Sequence, residues 1–230
     1  MKNLKDIIQE RLHINKDIDN HYYNYHPKTR DELQKLVNKL IKERGNDANL
    51  NDIDTSEITD MSYMFKSSEF NGDISEWYVS NVEYMIDMFY KSSFTGENGD
   101  ISNWDVSNVE DMDGMFFRSK FNGDISNWDV NNVKNMSYMF CGTSFNGDIS
   151  NWDVRNAENM NGMFEDSKFT GENGDISQWD VSNVKNMSSM FYESSFNRDI
   201  SNWNVSNVEN MSYMFFGSPL EKNPPKWYKE

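Results

Sequence analysis

Cysteine and histidine are scarce in this sequence, and their scarcity narrows the chemistry that the chain can support. The single cysteine, Cys141, excludes an intramolecular disulfide, and nothing in the chain needs an oxidising compartment. All three histidines lie within the first 26 residues, so the rest of the chain lacks the side chain most often used as a general base. The sequence also has no glycine-rich phosphate loop followed by lysine. We therefore expect no enzyme, no cofactor and no metal site built from cysteine and histidine.

Basic residues are few, and they are unevenly placed. The 230-residue chain has 22 Lys and Arg against 38 Asp and Glu, a formal net charge of −16. Residues 1–48 carry 10 basic and 8 acidic side chains, and the remaining residues carry 12 and 30. This acidic body argues against direct binding to nucleic acid or to an anionic membrane. We expect a basic or nucleic-acid-binding protein partner, and a monomer, because like-charged surfaces repel one another.

Long apolar runs are absent as well. No stretch of about 18 apolar residues, the length of a transmembrane helix, occurs in the chain. The first residues, 1–6, lack the apolar stretch and the small-residue cleavage site of a signal peptide. The sequence therefore predicts a cytoplasmic protein without a membrane segment.

Tryptophan and methionine, by contrast, are abundant and follow a repeat. Successive tryptophans are 24 or 27 residues apart, and every methionine except Met1 lies in a Met-x-x-Met-Phe unit that begins eight residues after a tryptophan position. The longer spacings contain the related insertions 95–98 and 170–173. A fixed period of this length predicts stacked structural repeats. We number the seven coils by the first methionine of each unit: Met61, Met85, Met112, Met136, Met160, Met187 and Met211.

Each coil has two halves with different patterns. In coil 3 the apolar residues Val109, Met112, Met115 and Phe116 have helical spacing, which predicts a short helix. The other half has a glycine for a turn and then two inward-facing apolar positions, which predicts a short strand. Since a single coil cannot bury its apolar side chains, we expect coils to stack, with strands in a parallel ladder and helices opposite. The predicted fold is an α/β repeat, a right-handed solenoid of about seven coils of 24–27 residues with an N-terminal helical cap.

The repeated strings Gly-Asp-Ile-Ser-Asn-Trp-Asp-Val-Ser-Asn-Val and Asn-Met-Ser-Tyr-Met-Phe are similar to those of a known group. They resemble the BspA-like leucine-rich-repeat surface proteins, which include mycoplasma lipoprotein repeats of unknown function. The resemblance covers about residues 49–227 and implies a leucine-rich-repeat-like solenoid used in adhesion or protein binding, without catalytic residues. Residues 25–33 and 50–54 resemble the N-terminal part of unexported relatives in bacteria and phages. The resemblance therefore implies an unexported member.

The two ends differ from the repeats, so we divide the chain into 1–24, 25–48 and 49–230. Residues 29–44 have the pattern of a helix, with Thr29 as N-cap and Gly45 as the stop, and are predicted to cover the first coil. At the other end, prolines and lysines at 222–229 are predicted to blunt the last strand edge. Residues 1–14 have helical apolar spacing. They either pack on the cap or form a detachable docking helix.

Aspartates recur at two positions of the coil and allow three interpretations. They accept hydrogen bonds from their own turns, they bind Ca²⁺ between coils, or they form an acidic rod that mimics nucleic acid and inhibits an enzyme that binds it. The first and third are compatible with each other. The first file is Asp73, Asp100, Asp124, Asp148, Asp175 and Asp199; the second is Asp54, Asp105, Asp129, Asp153 and Asp180.

Residues that vary between coils are better candidates for recognition than the constant Trp, Met and Phe, whose spacing indicates a core. We expect a non-catalytic scaffold that binds a protein through its extended faces. The alternative is the acidic mimic, which rests on the linear charge of two aspartates in each coil. The candidate partner-binding residues are Tyr63, Tyr90, Phe117, Tyr138, Tyr192, Tyr213, Phe216, the insertion residues Glu97 and Glu172, and Asp105, Asp129, Asp153 and Asp180.

Overall fold

The computed structural model describes residues 23–229. Within them, one α-helix, α1, spans Arg30–Arg44, and one 3-10 helix spans Pro219–Lys222. The rest consists of turns and single parallel β-bridges between successive coils. The interpretation of residues 1–14 lies outside the described residues.

Helix α1 begins and ends where its sequence predicts. The Thr29 hydroxyl accepts a hydrogen bond from the Glu32 N–H (3.3 Å), and the Glu32 carboxylate accepts one from the Lys28 N–H (2.7 Å). At the other end the Gly45 N–H donates to the Ile41 carbonyl at 2.8 Å, with φ of 95° at Gly45. The predicted apolar face is confirmed: three of its residues are fully buried and two partly buried. They are Leu33, Val37 and Leu40, and Leu36 and Ile41.

The prediction of one short helix and one short strand in each coil is wrong. In every Met-x-x-Met-Phe segment two residues, four positions apart, have φ between 49° and 70°. A right-handed helix cannot pass through such residues. The predicted strand is instead a turn, in which the N–H of the tryptophan donates to the carbonyl of the isoleucine three residues earlier, as in Trp152 to Ile149 at 3.2 Å.

The parallel ladder lies on the methionine half of the coil. From coil 2, the N–H groups of Met85, Asp87, Phe89 and Lys91 donate to carbonyls of coil 3 at 2.7–2.9 Å. The same four bonds recur between every successive pair of coils, at 2.7–3.0 Å. All these N–H groups point towards the C-terminal end of the stack, and the accepting carbonyls point towards the N-terminal end. The peptide units therefore line up head to tail, as they do along an α-helix.

Aromatic files run through the core beside this ladder. The phenylalanines that follow Met-x-x-Met stack from coil to coil, with ring centroids 5.4–5.9 Å apart. Each tryptophan indole N–H donates to a carbonyl of the preceding coil at 3.0–3.3 Å, as Trp128 does to Ile101. Six of the seven tryptophans are at most 4% exposed. The predicted core is confirmed, and its indole N–H groups are satisfied by the preceding coil.

The two ends of the stack are closed differently. Helix α1 covers coil 1, where the Arg30 and Gln34 side chains donate to the carbonyls of Ser62 (2.8 Å) and Met64 (2.9 Å). At the other end Trp227 stacks on Trp203 with centroids 6.5 Å apart. Because the ladder lies on the methionine half, Pro224 and Pro225 do not blunt its edge, in contrast to the prediction. The right-handed, leucine-rich-repeat-like class of the stack stays a prediction.

Candidate functional site

An aromatic strip runs along the ladder side of coils 1 to 4, and we define it as Tyr63, Tyr90, Phe117 and Tyr138. The rings of Tyr90 and Phe117 stack with centroids 4.7 Å apart, and Phe117 meets Tyr138 edge to face at 6.4 Å. Tyr63 is 41% exposed, and the other three are partly exposed. The predicted aromatic residues of these coils therefore do form one continuous surface, although not on a helix.

Cations are interleaved with the strip. The Lys66 ammonium lies over both Tyr63 and Tyr90, 4.9 and 4.3 Å from their ring centroids, and pairs with the Asp87 carboxylate at 2.7 Å. Hydrogen bonding to Asp87 raises the pKa of Lys66. Lys91 and Arg118 lie over Tyr90 and Phe117, at 5.1 and 5.4 Å. Cation–π contacts hold these side chains over the rings. The strip is thus a basic and aromatic surface on an acidic body.

Coil 5 interrupts the strip. It has Gly162 and Glu165 where coil 4 has Tyr138 and Cys141, and the Tyr138 ring lies against Gly162, because a Cβ there would be 2.4 Å from Tyr138 Cε1. Burial, with help from the neighbouring Asp166, raises the pKa of Glu165. The remaining predicted aromatic residues form a separate group in coils 6 and 7, where Tyr192 and Phe216 stack at 5.3 Å and Tyr213 is 67% exposed.

The aspartate files accept hydrogen bonds from their own turns, which confirms the first interpretation. Every aspartate of both files accepts from the N–H two residues later, at 2.9–3.3 Å. Hydrogen bonds within the turns lower the pKa of several of these aspartates. The main donor is the Ser107 hydroxyl for Asp105, the Ser126 N–H for Asp124 and the Ser182 hydroxyl for Asp180. The carboxylates are therefore structural in each turn.

The second file nevertheless faces solvent. Asp105, Asp129 and Asp180 are exposed, whereas Asp153 is partly covered and pairs with Arg155 at 2.8 Å. In the described part of the chain no group of three or more His, Cys, Asp and Glu side chains is arranged to hold a metal ion. The Ca²⁺ interpretation therefore gains no support from the structure.

The two insertions adopt the same conformation. In each, a threonine N–H donates to an asparagine of the preceding coil, Thr95 to Asn71 at 2.8 Å and Thr170 to Asn146 at 2.9 Å. Glu97 and Glu172 both project into solvent, and Glu172 pairs with Arg198 at 3.2 Å. The insertions are thus hydrogen-bonded parts of the stack, each with one exposed carboxylate.

Sequence reasoning missed two exposed tyrosines of coil 2. Tyr78, 46% exposed, stands where coils 3 to 6 have the second-file aspartate, and Tyr84, 41% exposed, stands where the other coils have Asp or Asn. Both replace a residue that closes a turn. A comparison of the seven coils could have found them, because both tyrosines depart from the residue that the other coils have at that position.

An open groove was also missed. It has a volume of about 770 Å³ and is lined by Glu57, Glu83 and Glu110 together with a ladder of asparagines. Each asparagine, such as Asn108, donates through its side chain to a backbone carbonyl of the preceding coil at 2.6–2.7 Å. Glu110 pairs with Lys134 at 2.6 Å, and Lys28 pairs with Glu57. The asparagine side chains thus bond to the neighbouring coil. The groove is acidic, and two of its glutamates are paired with lysines.

Cys141 is buried and free. It is 3% exposed, and burial raises the pKa of its thiol to about 12. A thiol of this kind is a poor nucleophile at neutral pH.

Among residues 23–229, no helix has the length and apolar character needed to span a bilayer.

Comparison with known proteins identifies one family. The sequence model of a family described as Mycoplasma protein of unknown function, DUF285, matches residues 2–99, 31–142, 91–172 and 144–228. The four matches overlap and together run over nearly the whole chain. No curated protein and no solved structure matches it.

Proposed function

The chain belongs to the family of mycoplasma proteins of unknown function, and from that premise and the geometry above we propose that it is a non-catalytic scaffold that binds a protein partner through its extended faces. The observation that carries the proposal is the aromatic strip with its interleaved cations. Coil stacking needs the constant Phe, Trp and Met residues, whereas the strip residues change from coil to coil.

The chemistry of the strip suits a protein surface. Aromatic and arginine side chains supply much of the binding energy at protein interfaces. Here Tyr90 and Phe117 are stacked on each other and held by Lys66 and Arg118, so they lose little conformational freedom on binding. Rigid, partly exposed rings beside cations favour a partner that offers apolar side chains next to carboxylates or carbonyl groups.

Site-specific photo-crosslinking in bacterial cells tests the proposal. A photoreactive phenylalanine analogue is placed at position 117 in one protein and at the exposed position 127 in a control. We expect one defined crosslinked protein from position 117 and none from position 127. Equal or diffuse crosslinking from both positions would contradict the proposal.

Affinity measurements with the purified partner then show which residues contribute to the binding free energy. Tyr90→Ala and Phe117→Ala are expected to weaken binding at least about tenfold each, which corresponds to loss of an interface hot spot. Tyr78→Ala is the matched control, because it removes an exposed tyrosine outside the strip and is expected to leave the affinity unchanged. An unchanged affinity in all three variants would remove the strip from the interface.

The acidic mimic remains the second candidate, favoured by the solvent-facing second aspartate file. It places the interface on Asp105, Asp129 and Asp180 rather than on the strip. In that case DNA or RNA displaces the partner, and successive Asp→Asn changes weaken binding cumulatively and in a salt-dependent manner. An affinity that is unchanged by added nucleic acid and by these three substitutions would exclude the acidic mimic.

A further inference from the structure

One column of side chains along the ladder changes its charge halfway through the stack. It lies six residues after the first methionine of each unit and, over coils 2 to 6, consists of Lys91, Arg118, Gly142, Asp166 and Glu193. We call it the charge column. The N–H of each member donates to the next coil at 2.7–2.8 Å, so its members follow one another at the ladder spacing of about 4.8 Å. The column is basic in coils 2 and 3, neutral in coil 4, and acidic in coils 5 and 6.

The four charged side chains of the column face solvent. All four are exposed, and within residues 23–229 none of them forms an ion pair. Their φ values are 49–53°, a conformation that favours glycine. Gly142 meets that preference in coil 4, whereas the other four members have a Cβ. The stacking of coils therefore does not need these charged side chains.

A neighbouring column reads the same in both directions. Two residues after the first methionine, coils 3 to 5 have Gly114, Tyr138 and Gly162, and coils 1 and 7 both have tyrosine. Tyr138 is partly exposed, and its ring lies against Gly162. The two columns thus share one centre, coil 4. Reversal of the direction of the stack leaves these glycines and tyrosines in place and exchanges the basic end of the charge column for its acidic end.

A second copy of the chain fits this arrangement when it lies antiparallel on the same face. A two-fold axis that lies in the interface and crosses the stack at coil 4 sets coil 2 against coil 6, and coil 3 against coil 5. Lys91 then meets Glu193 of the second copy, and Arg118 meets Asp166 of the second copy. Each contact occurs twice, as in any isologous dimer. A parallel dimer would instead place like charges opposite each other in these four coils.

The net charge of the chain opposes self-association mainly at a distance. Salt screens the repulsion between exposed charges beyond about 8–10 Å, whereas opposed side chains in an interface are closer than that. Both aspartate files lie in the tryptophan half of the coil and outside the ladder. Two residues beyond the charge column, the exposed Lys120 and Lys168 would be opposed as like charges, so the contact ends before them.

We propose that the ladder face of coils 2 to 6 binds a second copy of this chain in this antiparallel, two-fold arrangement. The aromatic strip takes part in the contact, because Tyr90 is then opposite Tyr192 of the second copy and Tyr138 lies at the axis. The inference rests on the proposed function, since it names the partner of the same strip. Charge complementarity of this kind fixes the register of an interface.

Paired charge reversals in the full-length protein test the inference. The acidic variant is Lys91→Glu/Arg118→Glu, and the basic variant is Asp166→Lys/Glu193→Lys. Each variant alone opposes like charges at all four contacts. By sedimentation we expect a dimer for the parent protein and a dissociation constant that is at least about tenfold higher for each variant. An equal mixture of the two variants restores four contacts between opposite charges, so we expect a one-to-one heterodimer.

Lys35→Glu/Lys39→Glu is the matched control. Both lysines are exposed on α1, and the change in net charge equals that of the acidic variant. We expect this control to form dimers as the parent does. Urea midpoints report that every variant is folded. A mixture of the acidic and basic variants that stays monomeric, or variants that dimerise as the parent does, would overturn the inference.

Photo-crosslinking of the purified protein determines the register. The photoreactive phenylalanine analogue is placed at position 117, and unlabelled copies are mixed with isotope-labelled ones so that links between copies are recognised by mass spectrometry. We expect links between copies from position 117 to residues 162–166. Links between copies to residues 114–118 would indicate a parallel dimer, and links within one copy to residues 1–22 would show that the chain covers its own strip. Either result overturns the inference.

One outcome separates this inference from the proposed function. If the parent protein is monomeric at about 100 μM, while position 117 crosslinks to a different protein in cells, the partner is not a second copy but the scaffold function stands. The absence of any crosslink from position 117, to a second copy or to another protein, would contradict both.

Discussion

The Arg30 guanidinium donates through Nε to the Ser62 carbonyl at 2.8 Å, in the place where an earlier coil would supply a backbone N–H. Gln34 does the same for Met64 at 2.9 Å. Two side chains of one helix therefore replace two ladder bonds, and the helix also buries the apolar end of coil 1. In this way two of the four ladder carbonyls of coil 1 are paired.

Removal of these two donors should loosen the first coil. In Arg30→Ala/Gln34→Ala the carbonyls of Ser62 and Met64 lose their partners, at a cost of about 1–3 kcal/mol for each hydrogen bond. We expect a lower urea midpoint and faster amide exchange at residues 61–68. Lys35→Ala, on the exposed face of α1, should change neither quantity. Equal effects of both variants would show that only helix content matters.

The indole hydrogen bonds should matter more inside the stack than at its end. Trp128→Phe removes the donor to the buried Ile101 carbonyl, and an unsatisfied buried acceptor costs about 1–3 kcal/mol. Trp227→Phe removes the same bond where the side chain is only partly buried, so a smaller loss is expected. Urea denaturation of the two variants is the measurement, and a larger loss for Trp227→Phe would contradict it.

Gly162 should tolerate no side chain. Its φ is 59°, and a Cβ would be 2.4 Å from the Tyr138 ring, so Gly162→Ala should destabilise by more than about 1 kcal/mol. Ser189 is at the same position of coil 6 and already has a Cβ. Ser189→Ala should therefore change the free energy of unfolding by less than about 0.5 kcal/mol.

A double-mutant cycle separates the two causes at Gly162. Tyr138→Ala removes the ring that a Cβ would meet but leaves the backbone conformation. Part of the cost of Gly162→Ala should therefore disappear in the double variant. If the cost is unchanged, strain at φ alone explains it.

Acid should destabilise the protein through its aspartate turns. The folded-state pKa of Asp105, Asp124 and Asp180 lies below the unfolded value of about 3.9. Their contribution to stability is therefore present above that value and is lost as the pH falls through the lowered pKa. The triple Asp→Asn variant should keep most of its stability at pH 7 and lose less in acid, because an amide oxygen accepts the same bond. Asn204 already does so, from the Ser206 N–H at 3.2 Å.

Asp113 gives the opposite sign and serves as the control for this measurement. Burial raises its pKa, although its carboxylate accepts a hydrogen bond from the Ser137 hydroxyl at 2.7 Å. A raised pKa favours the folded state at low pH and weakens that contribution as the pH rises. Asp113→Asn should therefore stabilise the protein at pH 7, since in coil 5 Asn161 accepts the equivalent bond from Ser188 of coil 6. Urea midpoints between pH 2 and 8 test both variants.

The residues of the aromatic strip could be predicted from the sequence, but their contacts could not. Tyr63, Tyr90, Phe117 and Tyr138 stand out because they vary where the core residues do not, and the structure brings them together. The cation–π contacts of Lys66 with two rings, and the interruption of the strip at Gly162, were not predictable, because they depend on how coils 24 or 27 residues apart align.

The sequence by itself left three interpretations of the aspartates open, whereas it determined the period, the buried residues and the bounds of α1. Each of these follows from local chemistry or from a pattern that repeats seven times. It did not determine the backbone of the methionine half. Successive turns there bond residues three apart, as Met64 does to Met61, so the apolar spacing resembles that of a helix.

Only the tertiary structure distinguishes the two conformations. Two residues in each coil adopt left-handed φ values, which are unfavourable for residues with a Cβ, such as Tyr63 and Ser67 of coil 1. They persist because the conformation directs four N–H groups to the next coil and four carbonyls to the previous one. Those bonds exist only between neighbours in the stack, so no single coil contains the information that selects them.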